Sequence, residues 1–276
     1  MKLSTWIFIT DLLPEKKGIF DKLLVDQFIK KSLFGKDKEE KVFKALKEFG
    51  VDGIELLVSR NTTDGDLKKV SLLLKKNKTK VLSIHQPLEL IFNISSTQIE
   101  KLFYAGKLLN AKLIVLHLKA ISKNLNNKNF MNKLKKLERQ SKIKIAIEND
   151  HKTPISFFVP YISDSNLFSA AVINYKLNVT FDTSHLAQAG GDIINFYNKN
   201  KKKIINIHLS DYKNSFLNKY LFLNKDMHMI LGKGELQIKE LLTALKKDKY
   251  NGYINLEIRG SLNDIVKSVK FVKKTL

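Results

Sequence analysis

Residues 179–192, VTFDTSHLAQAGGD, contain a strand signal that is followed at once by chemically active side chains. A short apolar run predicts a buried strand, and Asp182 and His185 come where that run ends. Two interpretations are open. Either Asp182 or Ser184 caps a following helix, or Asp182 and His185 belong to a metal or acid–base site. The Asp-x-x-His spacing fits both, so the rest of the chain has to decide.

The same succession of strand and helix signals recurs along the chain. Eight apolar runs rich in β-branched residues predict strands: Leu3–Thr10, Gly53–Val58, Val81–His85, Leu113–Leu118, Ile143–Glu148, Asn178–Phe181, Ile204–Leu209 and Tyr253–Ile258. Between them, apolar residues recur at helical spacing. These helical patterns cover 41–50, 66–78, 99–110, 130–139, 240–250 and 263–276.

Eight strands that alternate with helices over this length predict a (β/α)₈ barrel. The strand runs are continuously apolar, as expected of parallel strands that are buried on both faces. An open, doubly wound sheet is the alternative, but the chain lacks the glycine-rich first turn that would support it. No Pro/Gly/Ser-rich linker divides the chain, so we expect one domain over residues 1–276.

Composition excludes several classes of protein. The chain contains no cysteine, which excludes disulfides and thiolate ligands, so any metal must be bound by histidines and carboxylates. No apolar run approaches the roughly 20 residues that span a bilayer. The first residues, MKLSTWIFITDLLPEKK, become acidic too early for a signal peptide. We therefore expect a cytoplasmic protein with no membrane partner.

The charge balance is strongly basic. The 49 lysines and arginines exceed the 27 acidic residues by 22 charges, and Arg60, Arg139 and Arg259 are the only arginines. One interpretation is a surface that binds DNA or a phosphorylated substrate. The other is a composition rich in lysine and asparagine, with basic residues spread over many amphipathic segments. Both remain open.

Histidines and carboxylates accumulate where the predicted strands end. The residues concerned are His85, His117, His151, His185 and His208, together with Glu148, Asp182 and Glu257. In a (β/α)₈ barrel the carboxyl ends of all strands meet on one face. Burying so many ionisable groups together is costly unless a cation compensates their charge, and imidazole with carboxylate suits zinc or manganese. The pattern therefore predicts a divalent metal site to which Asp182 and His185 contribute.

Motifs at the strand ends resemble those of one superfamily. They occur in order as GVDGIEL (50–56), HQP (85–87), IEN (147–149), DTSH (182–185), HLSD (208–211), DMHMILGKGEL (226–236) and YNGYINLEIRG (250–260). Together they resemble the xylose isomerase-like barrels. That superfamily contains sugar isomerases and epimerases as well as endonuclease IV, which cleaves DNA at abasic sites. The resemblance covers nearly the whole chain.

The resemblance to the sugar enzymes implies a metal site of four residues, namely Glu148, Asp182, His208 and Glu257. In those enzymes the metal binds sugar oxygens, and two glutamates, here Glu148 and Glu257, move a proton at the adjacent carbon. His185 is then expected to contact the substrate or to support a ligand, and Arg259 to contact a substrate oxygen unless its side chain points into the barrel wall. Glu55 is expected to line the pocket, unless it forms a structural ion pair instead.

The resemblance to endonuclease IV implies five further ligands and three ions. They divide into two sets: His85 and His117, which share an ion with Glu148, and His185, Asp226 and His228, which bind another. Such a cluster activates water and neutralises a phosphate. The chain departs from the nuclease at Leu88 and Glu89, which replace an aromatic–apolar pair, and at Met227, which replaces an arginine.

We therefore predict a sugar isomerase or epimerase that depends on one to three divalent ions, with zinc or manganese first. An abasic-site endonuclease is the alternative, with DNA as its partner, and a non-catalytic metal-binding relative is the third possibility. The sugar and the oligomeric state are not encoded in these motifs. The predicted donors are compatible with zinc, manganese, magnesium and cobalt.

Overall fold

A computed structural model describes residues 1–13, 39–151, 164–214 and 226–276. Eight parallel strands form a closed barrel in which each strand pairs with the next and the eighth pairs with the first. The strands are Lys2–Phe8 (β1), Gly53–Leu57 (β2), Val81–His85 (β3), Leu113–His117 (β4), Lys144–Glu148 (β5), Asn178–Asp182 (β6), Ile204–Leu209 (β7) and Tyr253–Leu256 (β8). The predicted (β/α)₈ barrel is confirmed, and the open-sheet alternative is wrong.

Helices alternate with the strands around the barrel. The α-helices of the described residues are Ile9–Leu12, Glu39–Glu48, Asp64–Lys76, Ser96–Leu108, Leu118–Ile121, Lys128–Ser141, Ser165–Asn174, Thr183–Gln188, Ile193–Asn200, Ile238–Lys247 and Leu262–Thr275. Two 3₁₀ turns, Leu88–Leu90 and Ser122–Asn124, follow β3 and β4. No helix in this part of the chain is long and apolar enough to cross a membrane.

The strands are buried on both faces, as their continuous apolar runs predict. Every residue of β2, β3 and β4 is buried. One apolar cluster runs from the strands into the surrounding helices, and Ile54, Ile84 and Ile114 at its centre are fully inaccessible. Burial of this kind contributes roughly 25 cal/mol for each Å² of apolar surface removed from water. The rigid wall that results positions the strand ends.

The apolar periods did not predict the three helices after β5 and β6, and six of the eight predicted strands differ from the observed ones by one or two residues at one or both ends. Helices 165–174, 183–188 and 193–200 are too short or too uniformly apolar for a helical period to be recognised. Each nevertheless begins at an aspartate, Asp164, Asp182 or Asp192, whose carboxylate accepts hydrogen bonds from first-turn amides. The run predicted as Leu3–Thr10 ends at Phe8, because residues 9–12 are helical.

Candidate metal centre

The ends of six adjacent strands deliver the predicted site residues to one place. His85, His117, Glu148 and Asp182 are the last residues of β3, β4, β5 and β6, His208 is the second-last residue of β7, and Glu257 directly follows β8. All six are buried. Parallel strands end on the same side of the barrel, so the topology alone brings these side chains together.

Eight of the nine predicted metal ligands form three overlapping groups. In each group, one potential ligand atom per residue lies within 4.8 Å of the others. The groups are His85, His117 and Glu148; Glu148, Asp182, His208 and Glu257; and Asp182, His185 and His228. The ninth, Asp226, belongs to none of these groups in the described part of the chain, and Asp182 stands in the third group where Asp226 was expected.

Glu148 is the hub of the centre. Its Oε2 lies 3.1 Å from His85 Nε2 and 3.7 Å from His117 Nε2. Its Oε1 lies 3.2 Å from His185 Nδ1 and 3.3 Å from His208 Nδ1. Burial acts to raise the pKa of Glu148, but His117, His208 and the hydrogen bonds from His185 and His208 outweigh it and hold the pKa well below its usual value. Glu148 is therefore a carboxylate at neutral pH.

Asp182 caps a helix and is also positioned for the predicted metal site. Its Oδ1 accepts hydrogen bonds from His185 N at 2.7 Å and Ser184 Oγ at 3.1 Å, which caps helix 183–188. Its Oδ2 is buried, has no hydrogen-bond partner among the described residues, and lies 3.9 Å from both His185 Nδ1 and His208 Nδ1. Burial raises the pKa of Asp182 to about 7. One oxygen thus caps the helix while the other faces the centre.

His208 links Glu257 and Glu148 to Glu55. Its Nδ1 lies 2.6 Å from Glu257 Oε2, and its Nε2 lies 2.9 Å from Glu55 Oε1. Burial acts to lower the pKa of His208, but Glu55, Glu148 and Glu257 raise it well above its usual value. Burial acts to raise the pKa of Glu257, but His208 and His228 lower it to about 2. His208 is therefore an imidazolium paired with Glu257 and Glu55.

Two other expected substrate contacts, His185 and Arg259, lie next to His228. The ring of His185 packs against that of His228, with centroids 5.2 Å apart, and burial lowers the pKa of His228 to about 3. The Arg259 backbone N–H donates a 2.7 Å hydrogen bond to the carbonyl of His228. Burial lowers the pKa of Arg259 to about 10, with Glu257 opposing the shift, so the guanidinium remains charged at neutral pH.

Glu55 lies next to His208 Nε2, on the side of the ring away from Glu148 and Glu257, and is almost inaccessible to solvent. Its Oε2 accepts a 2.6 Å hydrogen bond from Ser83 Oγ, and its Oε1 accepts one of 3.1 Å from Asn255 Nδ2. Both oxygens are therefore engaged by the protein. Its expected contact with substrate stays a prediction.

The donors of the centre fit a divalent cation. Imidazole nitrogens and carboxylate oxygens are the ligands that zinc and manganese accept, and no thiolate is needed. The buried Asp182 Oδ2, which lacks a hydrogen-bond partner among the described residues, would be costly without a cation. Each of the three groups has at least three donors close enough to share one ion.

Sequence reasoning missed a set of side chains that position the ligands. Asp211 accepts hydrogen bonds from the amides of Gly232, Gly234 and Leu236 at 2.9 to 3.1 Å, and so fixes the segment that follows His228. Asn149 and Asp150 follow Glu148 directly and bind neighbouring strand ends. Their position just after a strand-end ligand was the one signal that could have found them.

Comparison with known proteins assigns the family. Residues 43–275 match the family model described as a xylose isomerase-like TIM barrel. The chain belongs to this family. A protein of similar sequence is an uncharacterized protein of Mycobacterium leprae (strain TN). It is 23% identical over an alignment of 246 residues that covers 81% of this chain and 85% of that protein.

Solved structures of other proteins share the architecture. One is the IolI protein with a bound zinc atom, with 16% identity, a TM-score of 0.64 and coverage of 99% of this chain and 96% of that one. Another is D-allulose 3-epimerase from Methylomonas sp. in complex with D-allulose, with 12% identity, a TM-score of 0.62 and coverage of 100% and 98%. At these identities the likeness establishes the fold.

Proposed function

We propose that the protein is a sugar isomerase or epimerase that depends on a divalent metal. One observation carries the proposal: two buried glutamates, Glu148 and Glu257, lie 3.3 and 2.6 Å from the same His208 nitrogen, within a centre of metal-type donors. Membership of the xylose isomerase-like family and the likeness to an epimerase with bound D-allulose support it.

Four residues would hold the ion that the reaction needs: Glu148, Asp182, His208 and Glu257. A bound divalent cation supplies Lewis acidity that makes the carbon beside a sugar carbonyl easier to deprotonate. The protein buries these four side chains, and charges act more strongly in such surroundings than in bulk water.

The glutamates would carry the proton. Glu148 and Glu257 are carboxylates, which can accept a proton from a carbon that the bound cation has made more acidic. In an epimerisation, one glutamate removes the proton from the carbon beside the carbonyl, and the other returns a proton to the opposite face. In an isomerisation the proton returns to the neighbouring carbon. His185 and Arg259 would orient the sugar oxygens.

Deuterium exchange tests this proposal even while the sugar is unidentified. Metal-loaded protein is incubated in D₂O with a panel of ketoses and aldoses, free and phosphorylated, and NMR detects deuterium beside the carbonyl. We expect exchange with at least one sugar, and a loss of roughly 10²–10⁴-fold in Glu148→Gln and Glu257→Gln. Glu100→Gln, which changes a surface glutamate paired with Lys133, serves as the matched control and should be unaffected. Full exchange activity in Glu148→Gln would contradict the proposal.

A specific observation favours an abasic-site endonuclease as the second candidate. Four histidines outside the four-residue site form two further groups with its members. His85 and His117 group with Glu148, and His185 and His228 group with Asp182. Three adjacent ions suit the hydrolysis of a phosphodiester, and the net charge of +22 suits DNA. A labelled duplex with one abasic site is the test. If the protein cuts this duplex, and a chelator and the Glu148→Gln substitution each abolish the cutting, the proposed function is an abasic-site endonuclease and not a sugar enzyme.

A further inference from the structure

We infer that Asp150 positions His117 as a metal ligand by fixing which ring nitrogen faces the centre. The inference rests on the metal centre of the proposed function and assigns a role to a residue outside the three ligand groups. Asp150 follows Glu148 by two positions, beyond the end of β5, and His117 ends the adjacent strand β4. The register of β4 and β5 pairs His117 with Glu148, so Asp150 lies within reach of the His117 ring.

The geometry distinguishes the two nitrogens of the ring. His117 Nδ1 lies 2.7 Å from Asp150 Oδ1, while Nε2 lies 3.7 Å from Glu148 Oε2, within the group of His85, His117 and Glu148. An aspartate carboxylate only accepts hydrogen bonds, so Nδ1 carries the hydrogen. In the neutral ring the lone pair is then on Nε2, which faces the centre. A ligand histidine backed by a carboxylate in this way is held in orientation and made more basic.

Asp150 is itself held in place from the segment that follows β4. Its Oδ2 accepts a 3.1 Å hydrogen bond from the Lys119 backbone N–H, and Lys119 Nζ lies 3.8 Å from its Oδ1. The Lys119 side chain is buried, and its Nζ also donates to the carbonyl of His151 at 3.3 Å. A buried carboxylate is thus balanced by a buried ammonium. The charge of Asp150 is therefore compensated by the protein, without a metal ion bound to Asp150.

The other histidines of the centre have different partners, which makes Asp150 specific for one group. His85 Nδ1 faces the backbone carbonyl of Gln86 at 2.8 Å, and His185 Nδ1 lies 3.1 Å from the carbonyl of Asn149. His208 Nε2 lies beside Glu55. Loss of the Asp150 charge should therefore weaken the group that contains His117 and leave the four-residue site intact.

Zinc binding tests the inference without any measurement of activity. Wild-type protein, Asp150→Asn and Asp66→Asn are stripped with a chelator and titrated with Zn²⁺ by calorimetry, and the metal retained after dialysis is counted. Asp66 is the matched control, because it is a buried aspartate that caps helix 64–76 with Thr63. We expect Asp150→Asn to weaken one zinc site by about 10–100-fold, while Asp66→Asn matches the wild type. Equal affinity and metal content in all three proteins would overturn the inference.

A double variant separates positioning from a general effect on the fold. If Asp150 acts through His117, then Asp150→Asn should cause no further loss of zinc affinity once His117→Ala has removed the ring. A further loss at the remaining sites in the double variant would overturn the inference. For the case that Asp150→Asn does not fold, ¹⁵N NMR of the wild-type histidines gives the tautomer directly. Hydrogen on Nδ1 of neutral His117 is expected, and hydrogen on Nε2 would overturn the assignment.

The outcomes for the inference and for the proposed function are distinct. A protein that binds zinc as described but exchanges no sugar proton contradicts the proposed function and supports the inference. A protein that exchanges sugar protons while Asp150→Asn binds zinc normally supports the function and overturns the inference. A wild-type protein that binds neither Zn²⁺ nor Mn²⁺ overturns both.

Discussion

Asn149 and Asp182 exchange two hydrogen bonds across the ends of neighbouring strands. Asn149 Oδ1 accepts from Asp182 N at 2.8 Å, and Asn149 Nδ2 donates to the Asp182 carbonyl at 2.9 Å. The paired register of β5 and β6 ends at Glu148 and Thr180, so the Asn149 amide continues the ladder in place of a peptide group. The backbone of Asp182 is thereby fixed beside the backbone of Glu148.

Asn149→Ala should therefore reduce both stability and metal affinity. Two buried backbone groups lose their partners, which costs about 2 kcal/mol of unfolding free energy. Asn178 is the matched control, because its Nδ2 bridges the same two strands at their other end through the Ile145 carbonyl, 3.0 Å away. Denaturant unfolding and zinc titration are the measurements. Asn178→Ala should lose about 1 kcal/mol and bind zinc normally. Normal zinc affinity in Asn149→Ala would contradict the argument.

Substitution at Asp182 should separate its cap from its role in the centre. Asparagine caps helices about as well as aspartate, so Asp182→Asn should change the stability of the metal-free protein by less than about 0.5 kcal/mol. The same variant loses the charge of the oxygen that faces His208, and zinc affinity should fall by at least about tenfold. Asp182→Ala should lose zinc affinity and also about 1 kcal/mol of stability. If Asp182→Asn kept wild-type zinc affinity, Asp182 would be a cap alone.

Metal binding should release protons, and affinity should rise with pH. Burial acts to lower the pKa of His185, but Asp182 and Glu148 raise it to about 9. At neutral pH the ring is therefore protonated in the metal-free protein, and the proton must leave before the nitrogen can bind an ion. Affinity should increase from pH 7 to about pH 9 and then level off. Zinc calorimetry in buffers of different ionisation enthalpy counts the protons, and an enthalpy that is the same in every buffer would contradict the prediction.

Asp211→Asn should loosen the segment that carries His228. His228 has a backbone φ of 56°, which a non-glycine residue adopts at some cost, so the surrounding hydrogen bonds must hold it. In Asp211→Asn the amides of Gly232, Gly234 and Leu236 lose their charged acceptor. We expect this variant to lose about 3 kcal/mol of unfolding free energy. Asp192→Asn, at the start of helix 193–200, is the control and should change stability little. If Asp211→Asn had the same melting temperature as the wild type, the prediction would be contradicted.

The barrel could be predicted because its signals are local. Continuous apolar runs such as 113–116 identify buried parallel strands, and helices between such strands are compatible with few other folds. Convergence of the strand-end ligands then follows from topology. The short helix 183–188 could not be recognised by a period, because six residues complete fewer than two turns. Its aspartate cap was the only local signal.

The finer arrangement of the centre depends on contacts between distant segments. Asp226 belongs to none of the three groups of described residues, and a motif cannot show that Asp182 stands in the group where Asp226 was expected. The partnership of Asp150 with His117 requires the register of β4 against β5, which the linear sequence does not contain. Sequence reasoning therefore predicted the eight residues that meet in the three groups, but not the residues that orient them.

The centre draws its donors from six consecutive strands, β3 to β8, and Glu257 comes directly after the last of them. Contacts between residues so far apart in sequence form late in folding, because a long loop must close first. A complete ligand set should therefore exist only after β8 has joined the barrel. Refolding in the presence of Co²⁺, followed by visible absorption, would then time the closure of the barrel and make the ion a kinetic reporter of its last step.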